Sequence, residues 1–233
     1  TVPAAPPPVP PYNPSTEPWL NILYQDEHLL VVDKPAGLLS TPGKEPELYD
    51  SLYSRALSIS PFAQLVHRLD MATSGLVIIA LQKQAEAQLK KQFEQRKVQK
   101  TYLARVWGKP AVASGEINLP LICDWPNRPK QKVCYERGKP ALTLYKLLSS
   151  EMLADISGKE QLTSLVELTP ITGRSHQLRV HMQALGCPII GDRFYAPMEA
   201  QKISNRLLLQ AAGLVFQHPV TEKEMSFRLE PEF

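Results

Sequence analysis

His67-Arg68-Leu69-Asp70-Met71-Ala72-Thr73-Ser74-Gly75 runs directly into Leu76-Val77-Ile78-Ile79-Ala80-Leu81. The second half is the longest apolar run in the chain. It is strand length, bounded by turn residues, and reads as a buried strand. The first half sets a carboxylate beside a guanidinium and then enters a turn. Strand segments are predicted at 65–69 and 75–81, around a loop holding Asp70. With residues 67–70 extended, Arg68 and Asp70 point to the same side. An exposed pair of this kind is ordinarily worth roughly 0–1 kcal/mol. Here the Thr73-Ser74-Gly75 turn and the strand behind it make the loop rigid, which a positioned nucleophile or base requires.

Working outward, residues 28–33 read as a short apolar strand ended by Lys34-Pro35-Ala36-Gly37. The Pro and Gly mark a turn, in which Lys34 serves either as a phosphate contact or as turn solubility. Lys83 to Arg96 reads as a helix, with Ala85, Leu89 and Phe93 four apart on one face. Thr101 to Trp107 alternates as a strand, with Tyr102, Ala104 and Val106 on a common face. Further strands are predicted at 115–119, 131–136, 141–149, 163–169, 213–217 and 224–229. Ser175 to Leu185 reads as a second helix with Leu178, Met182 and Leu185 as its apolar stripe, stopped by Gly186 and Pro188. Many strands with two interspersed helices imply an α+β fold with a mixed, mainly antiparallel sheet. Residues 1–18, with Pro6-Pro7-Pro8 and Pro10-Pro11, are expected to be an extended or disordered arm lying over a single domain at 19–233. No internal repeat is visible.

The formal net charge of +3 is a weak pointer to a polyanionic partner. Its distribution says more. Lys90, Lys91, Arg96, Lys97, Lys100, Arg105 and Lys109 face only Glu94 across 90–109, and Arg128, Lys130, Lys132, Arg137 and Lys139 face only Glu136 across 128–139. Two such stripes around one candidate site favour phosphate contacts. Cys123, Cys134 and Cys187 are widely spaced and form no zinc pattern, which fits idle thiols in a reducing cytosol. No window approaches the roughly 20 apolar residues of a membrane helix. The Pro-rich start lacks the basic-then-apolar order of a secretory leader, so a cytoplasmic location is expected. There is no P-loop, no GxGxxG after a strand and no GxSxG elbow, and neither a nucleotide cofactor nor a metal is indicated.

A second cluster, Thr172-Gly173-Arg174-Ser175-His176-Gln177-Leu178-Arg179-Val180-His181, opens the second helix. Backbone N–H groups at a helix start, set among basic side chains, favour a phosphate or carboxylate. Arg174 at the start, or Arg179 one turn in, could hold Asp70 ionised. His181 reads as a packed or surface histidine.

Three motifs in order carry a family resemblance: Lys34-Pro35-Ala36-Gly37; His67-Arg68-Leu69-Asp70 with Thr73-Ser74-Gly75; and Gly173 to Arg179 continuing to Gly191-Asp192. The chain resembles the RluA family of RNA pseudouridine synthases from about Trp19 onward. The resemblance implies the pseudouridine synthase fold, with a central RNA-binding cleft and no S4 domain. It implies isomerisation of uridine to pseudouridine without a cofactor: the C1′–N1 bond breaks, the uracil turns, and C5 bonds to C1′. Asp70 matches the catalytic aspartate, and Arg179 the arginine paired with it. Tyr102 matches a tyrosine that stacks on the target base and assists proton removal from C5. Arg68 matches an arginine that enters the helix where the flipped nucleotide was. His67, Lys34, Arg174, His176 and Gln177 join the expected RNA-binding set. So do Arg128, Lys130 and Lys132 in Cys123 to Lys132, a stretch typical of the RluA branch. Leu207-Leu208-Leu209 resembles the third-motif strand, where the family usually continues with His-Ala and this chain has Gln210-Ala211. The implied partners are 23S ribosomal RNA and tRNA anticodon stem-loops, met by a monomer without an obligatory protein partner. Covalent addition to sugar or base, and elimination to a glycal, would both use one Asp, and the sequence leaves both open.

Two other classes compete. A non-catalytic RNA-binding protein would share the basic stripes but gives no reason for Arg68, Asp70 and Arg179 together. A glycoside hydrolase normally needs a second carboxylate, for which Glu167 or Asp192 would have to serve.

Overall fold

A strand that is apolar on both faces needs cover on both, and the computed structural model, which describes residues 10–233, provides it for the run that ends the opening stretch. In chain order the elements are β1 (Ile22–Gln25), β2 (Leu29–Lys34), α1 (Leu52–Ala56), β3 (Gln64–Leu65), β4 (Ser74–Ala80), α2 (Lys83–Glu94), β5 (Gln99–Trp107), β6 (Ser114–Asn118), β7 (Leu121–Cys123), β8 (Gln131–Val133), β9 (Leu142–Ala154), β10 (Glu160–Pro170), α3 (Gln177–Ala184), α4 (Met198–Gln201), β11 (Leu209–Gln217) and β12 (Glu224–Arg228). Every residue of β4 is buried. Leu76, Ile78 and Ala80 pack with Ala85 and Leu89 of α2, while Val77 and Ile79 pack on the other side with Leu52 and Ala56 of α1. Burying each of the four larger side chains contributes roughly 1.5–3 kcal/mol.

Ten strands form one sheet in the order β1-β2-β4-β11-β5-β10-β9-β6, with β12 paired to β11 and β3 to β4; β7 and β8 form a separate hairpin. The pairings are antiparallel except β4 with β11, which run parallel at the centre. This is the mixed, mainly antiparallel α+β arrangement expected. Joining the two halves at a parallel pair puts the start of β4, the middle of β5 and the start of β11 side by side. Gln210 pairs with Ser74 and Ala211 with Gly75, while Ala211 also pairs with Tyr102.

The closeness of that junction explains Gly75. Its φ of 122° lies in the region that L side chains rarely adopt, and a Cβ there would run into the Ala211 backbone. Gly75→Ala is expected to lower stability by roughly 2–5 kcal/mol, from positive-φ strain and overpacking together. The midpoint of urea unfolding measures it; an unchanged midpoint would mean that β4 and β11 do not approach this tightly.

The predicted strand at 65–69 is shorter than expected, with only Gln64–Leu65 paired to β4. Beyond it the backbone is satisfied by a side chain instead: Leu69 N–H donates to Ser40 Oγ, and Ser40 Oγ donates back to Leu69 O. Of the expected arm at 1–18, residues 1–9 lie outside the described residues. Residues 10–18 carry no regular element. Tyr12 lies against the domain, its hydroxyl donating to Asp50 O at 2.6 Å and accepting from Leu39 N–H.

Candidate active site

The site lies where the loop before β4, β5, the start of β11 and the approach to α3 converge. Arg68, Leu69, Asp70, Thr73, Lys100, Tyr102, residues 172–179 and Leu209 line a cleft of about 330 Å³. That is within the usual range for one small group, roughly 300–1,000 Å³.

Asp70 stands at the mouth with 44% of its side chain exposed. It is the first residue of a turn closed by Thr73 N–H donating to Asp70 O at 3.0 Å. The turn is pinned from below. Lys34 is fully buried and donates from Nζ to Met71 O, Leu38 O and Pro35 O at 3.1, 2.7 and 2.9 Å. Burial pushes its pKa down to about 7, against the opposing pull of the Asp70 charge. Lys34 was expected on RNA phosphate; the structure corrects this. Its three donors are spent on carbonyls inside the protein, so it fastens the floor of the Asp70 turn.

Tyr102 projects from β5 into the same cleft, two residues from Lys100 and on the same face. Burial, and then the charge of Asp70, push its pKa above the ordinary range, so the side chain is a neutral phenol. The Lys100 ammonium is pushed the other way, by burial and then by Arg96. Sequence reading placed Lys100 only in a basic stripe; the strand alternation that singled out Tyr102 carried Lys100 as well.

Arg179 reaches Asp70 from α3, its Nη1 3.7 Å from Asp70 Oδ2. It is held from behind by the carboxylate that ends the third motif: Nε and Nη2 donate to Asp192 at 3.0 and 2.7 Å. Asp192 is fully buried, and its Oδ1 also accepts the N–H groups of Phe194 and Tyr195. The guanidinium lies 5.1 and 5.4 Å from the Phe194 and Tyr195 rings. Burial works against its charge, but the bonds and charge of Asp192 outweigh that and hold its pKa above the ordinary value. One fixed cation therefore faces two carboxylates, one buried and bonded, the other exposed and without a short bond to it. Asp192 is thereby removed as a second catalytic carboxylate, and Glu167 faces Arg228 instead, at 3.7 Å.

The remaining expected residues divide. Arg68 is exposed at the cleft, and Arg174 lines it while its Nε donates to Pro140 O. His176 Nε2 lies 3.9 Å from Asp70 Oδ2. Gln177 borders the cleft, but its side chain is buried and committed. It accepts from Thr172 Oγ1 and from Arg174 N–H, and donates to Leu142 O and Thr143 Oγ1. An RNA contact through that side chain is corrected to a brace of the 172–177 turn. His67 is corrected too. It turns toward the sheet, stacks on Phe93 at 4.5 Å and accepts Ile78 N–H at Nε2, and burial pushes its pKa to about 3. His181 is buried as expected, between Thr143 and Leu119 O. Arg128, Lys130 and Lys132 lie outside the cleft, on and before β8. There the Arg128 guanidinium sits 4.1 Å over the Trp125 ring.

Asp70 thus stands on a rigid turn, facing an arginine and a phenol inside a basic cleft. Residues 28–184 match the family described as RNA pseudouridylate synthase. The chain belongs to the RNA pseudouridylate synthase family. It is 57% identical over 222 residues to the dual-specificity RNA pseudouridine synthase RluA of Escherichia coli (strain K12), covering 95% of this chain and 98% of that protein. It is 54% identical over the same length to the protein of that name from Pasteurella multocida (strain Pm70). Among solved structures, human RNA pseudouridylate synthase domain containing 1 superposes with a TM-score of 0.75 at 28% identity, covering 96% of this chain and 85% of the other. Human RNA pseudouridylate synthase domain containing 4 gives 0.68 at 27%, covering 91% and 88%. The pseudouridine synthase fold and an isomerase activity on RNA follow: this pseudouridylate synthase converts uridine to pseudouridine.

Proposed function

We propose that Asp70 is the residue on which the isomerisation turns, that Arg179 is its charge partner, and that Tyr102 stacks on the flipped uracil. The carrying observation is the shared cation: Arg179, locked to Asp192, faces Asp70 at 3.7 Å. An arginine so fixed sets a positive charge beside Asp70 without gripping it in a short bond, which suits a carboxylate that must move toward carbon.

Isomerisation redistributes atoms within one nucleotide: C1′–N1 breaks, C5–C1′ forms, C5 loses a proton and N1 gains one. No oxidant, reductant or cofactor enters. Tyr102, a neutral phenol, presents a ring to the base. Proton removal from C5 through its hydroxyl would require it to pass its own proton on, since its phenolate is disfavoured. The target base must first leave its stack, at a cost of a few kcal/mol. Arg68, exposed at the cleft edge, would occupy the gap left behind, and Arg174 and Lys100 would meet the backbone.

The substrates we read for this chain are 23S ribosomal RNA and tRNA anticodon stem-loops. The reading is supported by the dual specificity in the names of relatives above 50% identity and by the basic hairpin beyond the cleft. There Arg128, Lys130 and Lys132 accompany the exposed rings of Trp125 and Tyr135. We further read the protein as a cytoplasmic monomer without an obligatory protein partner. Among the described residues no helix is long and apolar enough to cross a membrane.

Replacing Arg128, Lys130 and Lys132 together by Ala should flatten the salt dependence of RNA affinity. Each phosphate contact contributes about 0.7–0.9 to the slope of log affinity against log salt, so three contribute about 2–3. Fluorescence anisotropy at several salt concentrations reads it, and an unchanged slope would remove the hairpin from the RNA interface.

A further inference from the structure

Behind the cleft runs a chain of hydrogen bonds that the roles above leave unused. Gln131 N–H donates to Tyr195 Oη at 2.9 Å. Tyr195 Oη lies 2.6 Å from His176 Nδ1, and His176 Nε2 lies 3.9 Å from Asp70 Oδ2. A backbone N–H can only donate, so the Tyr195 oxygen accepts from Gln131, and its own proton is then placed to go to Nδ1. A neutral imidazole with Nδ1 used as acceptor carries its one proton on Nε2. That nitrogen faces Asp70.

We infer that Tyr195 is a positioning residue: it sets the tautomer of His176 so that Nε2–H is presented to Asp70, and it ties that setting to the β7–β8 hairpin through Gln131. The inference rests on the proposed roles of Asp70 and of the hairpin. A neutral N–H at this 3.9 Å separation faces the carboxylate without a short bond and leaves its charge intact. An imidazolium at the same place would pair with Asp70 and blunt it. Protonation at Nδ1 would oppose two donors on the Tyr195 oxygen, so the hydroxyl would have to turn away first. Burial also lowers the pKa of His176, with Asp70 opposing, while Tyr195 is pushed up to about 12 by burial and stays protonated.

The ring is enclosed by groups from each neighbouring element. Asp70 faces it from the turn before β4 and Arg179 from α3, while Asp192 and Tyr195 come from the segment after α3. Phe194 stacks on it at 5.7 Å, and Arg68, Lys100 and Arg174 line the same cleft. His176 is itself held in the left-handed region, at φ 54°, which fixes where the ring points. Gln131 opens β8, with Lys130 just before the strand and Lys132 within it, so RNA seated on the hairpin would bear on the same chain of bonds.

The test is ¹⁵N NMR of histidine-labelled protein combined with the pH–rate profile. Wild-type His176 should appear as the Nε2–H tautomer, and Tyr195→Phe should show a mixture. In the variant kcat should fall about tenfold, the size of one lost hydrogen bond, with KM for RNA little changed. Its acid limb should move to higher pH, because removing the Tyr195 proton from Nδ1 lets His176 protonate more readily. On a His176→Asn background, which tolerates the left-handed backbone, Tyr195→Phe should cost almost nothing further. An Nδ1–H tautomer in the wild type would overturn the inference, as would a Tyr195→Phe protein with unchanged tautomer and acid limb. Should that variant not fold, an acid limb unaltered by His176→Asn overturns it equally. The tautomer is read without turnover, so its failure is distinct from that of the Asp70 assignment.

Discussion

Asp70→Asn will abolish release of tritium from RNA carrying 5-tritiated uridine while leaving RNA binding largely intact. The amide keeps the size of the carboxylate and removes its charge and nucleophilicity. Loss of a nucleophile or base in such a site costs about 10⁴-fold or more in kcat. Stability should barely change. Asp70 is 44% exposed, and its contacts to Arg179 and His176 are 3.7 and 3.9 Å, a geometry worth roughly 0–1 kcal/mol at an exposed site. Affinity should hold or rise slightly, because the substitution removes a negative charge from a cleft built to meet phosphates. That separation of turnover from binding also discriminates the classes considered from sequence. A purely RNA-binding protein has no turnover to lose, and a two-carboxylate hydrolase lacks a second partner in the cleft, since Asp192 is buried against Arg179 and Glu167 faces Arg228 outside the cleft lining. Equal tritium release by wild type and variant would sink the Asp70 assignment.

What could be read from the residues follows the range over which each signal acts. The apolar run at 76–81 and the four-residue spacing of Ala85, Leu89 and Phe93 are local, and β4 and α2 appear where predicted. Tyr102 and Arg179 could be placed because one sits on an alternating strand and the other in a motif. β1, β7, α1 and α4 are short and carry no periodicity long enough to declare them, so they went unread. The larger departures are all long-range. Lys34 looks like a turn lysine until Met71 O, 37 residues away, is seen to accept a hydrogen bond from it. His67 sits beside Arg68 in the motif yet faces the opposite way, because Ile78 N–H and the Phe93 ring claim it. Gln177 is spent on residues five and about thirty-five positions distant. In each case the residue type is right for RNA, and partners far along the chain decide otherwise.

Asp192→Ala should be the most damaging change among residues that do not touch the reacting bond. It leaves the Arg179 guanidinium buried without its bidentate partner and strips two backbone N–H groups, those of Phe194 and Tyr195, of their acceptor. Breaking a buried ion pair from one side costs about 3–5 kcal/mol, which the urea midpoint would report. Activity should fall with it even where the protein remains folded, because an Arg179 freed from Asp192 can close on Asp70 and grip it. A double change, Arg179→Met with Asp192→Leu, separates the two effects. With no orphaned charge, stability should recover in part, since replacing both members of a buried pair is often close to neutral. Activity should not recover, since Asp70 then has no cation beside it. A single Asp192→Ala variant within about 1 kcal/mol of wild type, below the range for a broken buried pair, would mean that the Asp192–Arg179 lock does not carry the site. Recovery of turnover in the double variant would mean that Asp70 needs no charge partner at all.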